Sequence, residues 1–181
     1  MDLTNVERYL DSFGKKVVQD AKANLARAKG STALGNSIRF EVVTDAQGFS
    51  TRFYMDDYGE YLDKGVSGNK QKQSFEDYKG TTRSSPYSYT SKGPPIDIIS
   101  KWIKKKGIEP KGLGRGRSEN TGQYISGFAY LISRKIKREG IKSLSFFQEP
   151  LGLYYGILQK NMLKGLREDI QTYITTFYRP K

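Results

Sequence analysis

The sequence predicts an α+β fold: a long N-terminal helix, a small antiparallel sheet, two or three further helices and a long inserted arm. Three observations carry this. Apolar residues step by three and four from Leu3 to Ala28, the spacing of one helix face. The period then changes to two across residues 38–55, the spacing of half-buried strands. Finally, Ile103-Lys104-Lys105-Lys106-Gly107-Ile108 and Ile136-Lys137-Arg138-Glu139-Gly140-Ile141 write one phrase twice, 33 residues apart. Each closes a helix-spaced run with charges, a glycine and an isoleucine. Glycine takes the left-handed conformation at little cost, the next apolar residue folds back on the last turn, and cations sit at the negative pole of the helix.

In the first helix the stripe is Leu3, Val6, Leu10, Phe13, Val17, Ala21, Leu25 and Ala28. Thr4 with Glu7 fits a capping box, and Gly30 after Arg27 and Lys29 fits a stop. At about 1.5 Å per residue the helix is on the order of 40 Å long, so part of its stripe is expected to serve a neighbouring subunit. Ile38, Phe40 and Val42, then Phe49, Thr51, Phe53 and Met55, alternate with polar residues around the turn Asp45-Ala46-Gln47-Gly48. They read as two antiparallel strands. Tyr58 to Gly65 follows as a short strand or turn leaving the sheet.

Residues 66–93 hold Gly, Ser, Lys, Thr and Tyr with hardly any aliphatic side chain. Such a segment buries too little apolar surface to offset its ordering entropy, and it reads as an extended or disordered arm. Pro94-Pro95 opens the second helix, with Asp97 at its positive pole, Ile99, Trp102 and Ile103 facing inward, and a stop at Gly107. A glycine-basic loop, Lys111-Gly112-Leu113-Gly114-Arg115-Gly116-Arg117, leads to Asn120 and Gln123, a capping-box variant. The third helix then carries Ile125, Phe128, Ala129, Ile132 and Ile136. Leu144, Phe146 and Phe147 make a short apolar turn. Pro150 opens a last helix through Tyr154, Leu158, Met162, Leu166 and Ile170. Residues 170–178 fit helix or strand equally. The expectation is one domain over residues 1–181, with 150–181 as a C-terminal extension.

Composition narrows the chemistry. The chain has no Cys and no His. Disulfides, thiolate metal sites and cysteine nucleophiles are excluded, and the commonest general base is missing. No apolar run approaches the roughly 20 residues that span a bilayer, and no signal-peptide pattern is present, so a soluble, non-secreted chain is expected. The net charge of +12 is uneven. Residues 1–63 carry 8 basic and 10 acidic side chains, residues 64–117 carry 13 and 4, residues 118–142 carry 5 and 2, and residues 143–181 carry 5 and 3. A positive field concentrated mid-chain points to a polyanion or an acidic protein surface as neighbour.

Motifs for catalysis are weak. Asp56, Asp57, Glu60 and Asp63 are the densest carboxylates, but their spacing does not match a calcium loop. Glu109-Pro110-Lys111 superficially matches the Glu-x-Lys of a metal-dependent nuclease, which needs a strand that Pro110 opposes. The loop 112–117 follows no βαβ strand and suits anion contact better than nucleotide binding. A Ser nucleophile without His needs a Lys base, and none is marked. The expectation is therefore no catalytic, cofactor-binding or metal residue. The expected inter-subunit or DNA contacts are Lys70, Lys72, Lys79, Arg83, Tyr87, Tyr89, Lys104, Lys105, Lys111, Arg115 and Arg117. They come from the arm, the glycine-basic loop and the first doubled helix end.

The order of these parts resembles the small neck or tail-completion (head–tail joining) proteins of tailed bacteriophages. The matching pieces are Ala33-Leu34-Gly35-Asn36-Ser37-Ile38 leading into the sheet, Tyr58 to Gly65 at the sheet edge, Pro95 through Ile108 with Trp102, and Phe128 through Phe147 with Gly140-Ile141 and Phe146-Phe147. The likeness covers most of residues 1–150; 66–93 look like an insertion and 151–181 like an extension. The resemblance implies a non-enzymatic, ring-forming virion subunit between portal and tail, made in the host cytoplasm. Its implied partners are copies of itself, portal or connector and tail proteins, and the double-stranded DNA in the channel, with no membrane and no cofactor. The residues alone leave another reading open, a stand-alone basic nucleic-acid-binding protein.

Overall fold

The computed structural model describes residues 3–29, 33–45, 48–108, 115–117 and 124–177, with 115–117 and 124–126 described by backbone alone. In chain order the elements are α1 (Thr4–Lys29), α2 (Ala33–Ser37), β1 (Arg39–Asp45), β2 (Gly48–Tyr54), α3 (Tyr58–Lys64), β3 (Val66–Ser67), β4 (Ser74–Glu76), β5 (Thr82–Ser84), α4 (Ile96–Lys105), β6 (Arg115–Arg117), β7 (Tyr124–Ser126), α5 (Gly127–Glu139), β8 (Gly140–Ile141) and α6 (Gln148–Phe177). The fold is α+β, with a long N-terminal helix. Its strands pair as β1–β2, β3–β8, β4–β5 and β6–β7. The chain divides into two compact units and crosses between them several times. The first holds Met1–Asp63, Glu76–Arg83 and Leu144–Lys181; the second holds Lys64–Phe75 and Ser84–Ser143.

In the first unit the predicted stripe of α1 is buried from Val6 to Leu25. It packs with Leu34, Ile38, Phe146 and Phe147, and the Phe53 ring meets Phe13 and Phe147 edge-on at 5.9 and 5.3 Å. The hairpin forms as expected, with Arg39 opposite Tyr54 and Asp45 opposite Gly48. Helix α6 runs antiparallel to α1. The pairing is marked by Asn5 against Asp169, the Tyr154 hydroxyl donating to Asp20 at 2.6 Å, and Asn24 donating to Glu149 at 3.4 Å. The Asp20 carboxylate beside Tyr154 raises that phenol above its ordinary value. Residues 170–177, left open between helix and strand, are helical. Thr172, Thr175 and Thr176 return their hydroxyls to carbonyls three and four residues back, which satisfies β-branched polar residues inside a helix. Leu166 and Ile170, which continue the helix as expected, are exposed, and Gly165 and Asp169 take the buried positions.

Two buried carboxylates hold helix starts in this unit. Asp169 accepts the Asn5 and Val6 N–H groups at 3.1 and 3.2 Å, so α1's first turn is closed by the far end of α6. The expected Thr4–Glu7 box does not close it: the Glu7 N–H donates to the Leu3 carbonyl, and the Glu7 carboxylate accepts from Thr44. Asp63, 2% exposed, accepts the Phe147 N–H at 2.8 Å and the Gln148 N–H at 3.4 Å, at the start of α6. Helix starts leave such donors without intrahelical partners. Asp63→Ala is expected to lower stability by about 1–2 kcal/mol, read as a shifted denaturation midpoint; an unchanged midpoint would refute the capping role. Asp63 closes α3, a helix where the sequence suggested a strand or turn.

In the second unit α4 and α5 bury Ile99, Ile103 and Ala129, with Phe128, Ile132 and Ile136 against them. Trp102, expected inside, is largely exposed. At the end of α4, Gly107 is left-handed (φ 63°), its N–H donates to the Lys104 carbonyl, and the Ile108 N–H donates to the Ile103 carbonyl. This is the expected glycine stop. The second copy of the phrase differs. Gly140 is also left-handed (φ 81°), but it opens β8, where Gly140 and Ile141 pair antiparallel with Ser67 and Val66. Ile125, expected on the α5 stripe, lies in β7 opposite Gly116. Gly30, Asn120 and Gln123 fall outside the described residues.

Residues 66–93, expected as an extended or disordered arm, hold the short strands β3, β4 and β5. Ser67 exchanges backbone hydrogen bonds with Tyr87 and Tyr89, both 2.8 Å, and its hydroxyl accepts the Gln73 N–H at 3.0 Å. Val66, Gln73 and Phe75 are buried. The segment is ordered through backbone and short polar groups, which an apolar count does not register.

Candidate polyanion-binding surface

The charge of the chain divides with the two units. By sequence the second unit carries 16 basic and 4 acidic side chains, and the first carries 15 of each. The whole excess of +12 therefore belongs to the second unit.

Its densest part is the last two turns of α5. Leu131, Arg134, Lys135 and Arg138 are spaced 0, 3, 4 and 7 along the helix, so they share one outward face. The carbonyls at this end find partners in the loop after β3. The Asn69 and Lys70 N–H groups donate to the Lys137 and Arg138 carbonyls at 2.9 and 3.0 Å, and the Gln73 amide donates to the Glu139 carbonyl at 2.7 Å. These caps bring Lys70 beside the basic turn. Together the segments line an open cleft of about 780 Å³ whose walls include Lys70, Tyr130, Arg134, Lys135, Lys137 and Arg138.

The cations are not equivalent. Glu139 lies 2.6 Å from Arg138 and 3.9 Å from Lys135, and Arg138 holds its carboxyl below the usual value. Lys137 donates to the Ser91 carbonyl at 2.6 Å. Lys70 and Arg134 are exposed at the cleft. A cationic cleft lined also by an amphipathic side chain, Tyr130, suits the phosphates of a polyanion, through charge rather than base identity.

The residues expected from sequence separate. Lys70 lines the cleft. Lys72 is exposed on the same loop. Lys104 and Lys105 are exposed in the last turn of α4 and do not line the cleft. Tyr87 and Tyr89 are half-buried beside Ser67, and burial raises the Tyr89 phenol; their backbones are part of the scaffold rather than a free arm. Arg115 and Arg117 lie in β6 by backbone, and Lys111 falls outside the described residues. The basic residues of α5 are visible in sequence as helix-end charges; the signal of a contact face is that Arg134, Lys135 and Arg138 follow Leu131 by three, four and seven residues.

Lys79 and Arg83 belong to the first unit, and Arg83 has an internal task. Its guanidinium pairs with Asp77, whose carboxylate also accepts the Lys79 and Thr81 N–H groups, both at 2.9 Å. Arg83 first, then the Thr81 N–H, holds the Asp77 carboxyl below its usual range. A depressed carboxyl stabilises the fold above its unfolded pKa, and that contribution is lost as pH falls through the folded value. Protection of the Lys79 and Thr81 amides, corrected for intrinsic exchange, is expected to fall on acidification below the usual carboxylate range. In Asp77→Asn it should be low and insensitive to this change.

Among the described residues no group of three or more acidic side chains is placed to hold a metal ion, and no helix is long and apolar enough to cross a membrane. Comparison with family models, with curated proteins and with solved structures finds no match.

Proposed function

We propose that this chain is a non-enzymatic structural subunit of a tailed bacteriophage, forming a ring in the neck or tail-completion region between portal and tail. The observation that carries the reading is the complete segregation of positive charge. One unit has no net charge, and the other holds the +12 with its cationic cleft. A subunit that surrounds a passing DNA needs sequence-blind attraction on one part and neutral packing surface on another. The motif resemblance over most of residues 1–150 gives the same reading. On assembly the chain resides in the virion, after synthesis in the host cytoplasm.

The test is composition and assembly. Mass spectrometry of purified virions should find the chain, and native mass measurement should find closed oligomers, alone or with a portal or tail partner. A strictly monomeric protein absent from virions would overturn the reading. The same segregated charge favours a second reading, a stand-alone basic nucleic-acid-binding protein. That reading predicts tight DNA binding in free solution by a chain that does not occur in particles.

A further inference from the structure

The C-terminal half of α6 has two faces. One packs on α1 through Gly165 and Asp169. The other carries Leu163, Leu166, Ile170 and Ile174, spaced by 3, 4 and 4, all exposed, with Leu163 at 72%. Lys160, Lys164 and Arg167, spaced by 4 and 3, are exposed along one edge of that stripe, with Lys164 also 3.8 Å from Glu168. The short helix α3 has the opposite character. Tyr58 and Tyr61 are each 45% exposed and lie one turn apart. The exposed carboxylates Asp57 and Glu60, also three residues apart, run beside them. An apolar row with a basic edge matches an aromatic row with an acidic edge, in both shape class and charge.

These two patches cannot cover each other within one copy. Asp63, at the end of α3, binds the start of α6 through the Phe147 N–H. Leu163 lies sixteen residues further along the helix, on the order of 24 Å at about 1.5 Å per residue. We propose that the outer face of residues 160–174 docks onto the Tyr58–Tyr61 face of α3 on a second copy of this chain, head to tail. Such a contact joins two different patches, so it propagates from copy to copy and closes into a ring when the rotation allows. The inference stands apart from the neck assignment. Copies joined this way in a chain absent from virions would leave it intact, and rings joined through other faces would overturn it alone.

The chain has no Cys, so engineered thiols are unique. Leu163→Cys and Tyr61→Cys chains, mixed and treated with a bismaleimide, should give a covalent dimer that neither chain gives alone. Adding Arg167→Glu and Lys164→Glu to the first chain should lower its yield about tenfold. Adding Glu60→Lys and Asp57→Lys to the second should restore it. Each variant is checked for native circular dichroism, with Tyr58→Cys replacing Tyr61→Cys if that chain does not fold. Cross-linking of Leu163→Cys only with itself, or no covalent dimer in the mixture, would overturn the proposal.

Discussion

Replacing Gly140 by alanine is expected to destabilise the second unit by about 3 kcal/mol, the sum of a left-handed non-glycine residue and a forced backbone shift. Gly140 sits at φ 81°, and a Cβ there would overlap the Val66 carbonyl oxygen and come within 2.6 Å of the Gly68 nitrogen. Backbone atoms cannot swing aside as a side chain does, so β3 and β8 must separate. Their separation would also draw the loop after β3 from the end of α5, where Asn69 and Lys70 cap the helix carbonyls. Hydrogen exchange should show lost protection at Asn69 and Lys70 in Gly140→Ala. Gly107→Ala provides the contrast. Gly107 is left-handed, but no atom of the described residues lies within 4 Å of its Cβ position, so only the conformational cost of about 1 kcal/mol applies. Equal losses in the two variants would contradict the crowding argument.

Removing three cleft cations should have the largest effect on function. Lys70→Ala, Arg134→Ala and Lys135→Ala together leave the Arg138–Glu139 pair in place. Affinity for duplex DNA is expected to fall about tenfold or more, with no preference for any sequence. The dependence of log affinity on log salt should become shallower by about 2–3, roughly one for each phosphate that is no longer neutralised. Lys15→Ala, Lys22→Ala and Arg27→Ala, on α1 in the unit without net charge, should leave both unchanged. Fluorescence anisotropy of a labelled duplex across a salt series measures this, and equal losses in the two triple variants would show that total charge, rather than the cleft, governs binding.

Elements built on aliphatic periodicity were legible in the sequence. The stripe of α1, the β1–β2 alternation and the Gly107 stop each form where the spacing placed them. Elements built on polar or backbone contacts were not. Asp63 and Asp169 look like surface carboxylates in sequence, yet they are buried because each holds the start of a distant helix. The segment after Val66 has no aliphatic pattern because Ser67, Gln73 and Asp77 organise it by hydrogen bonds. Trp102 is expected inward on hydrophobicity alone, which does not distinguish a core face from an outward contact face, and it is exposed. Of the residues lining the cleft, Lys70 is among the contacts expected from sequence and Arg134 and Lys135 are not. The cleft depends on the β3–β8 pairing, a long-range contact without a local signature.

Imaging the intact particle at a resolution that traces side chains tests the central claim most directly. The account predicts copies of this chain in a closed ring between portal and tail, with Lys70 and Arg134 facing the DNA. A head–tail junction built without this chain would contradict it.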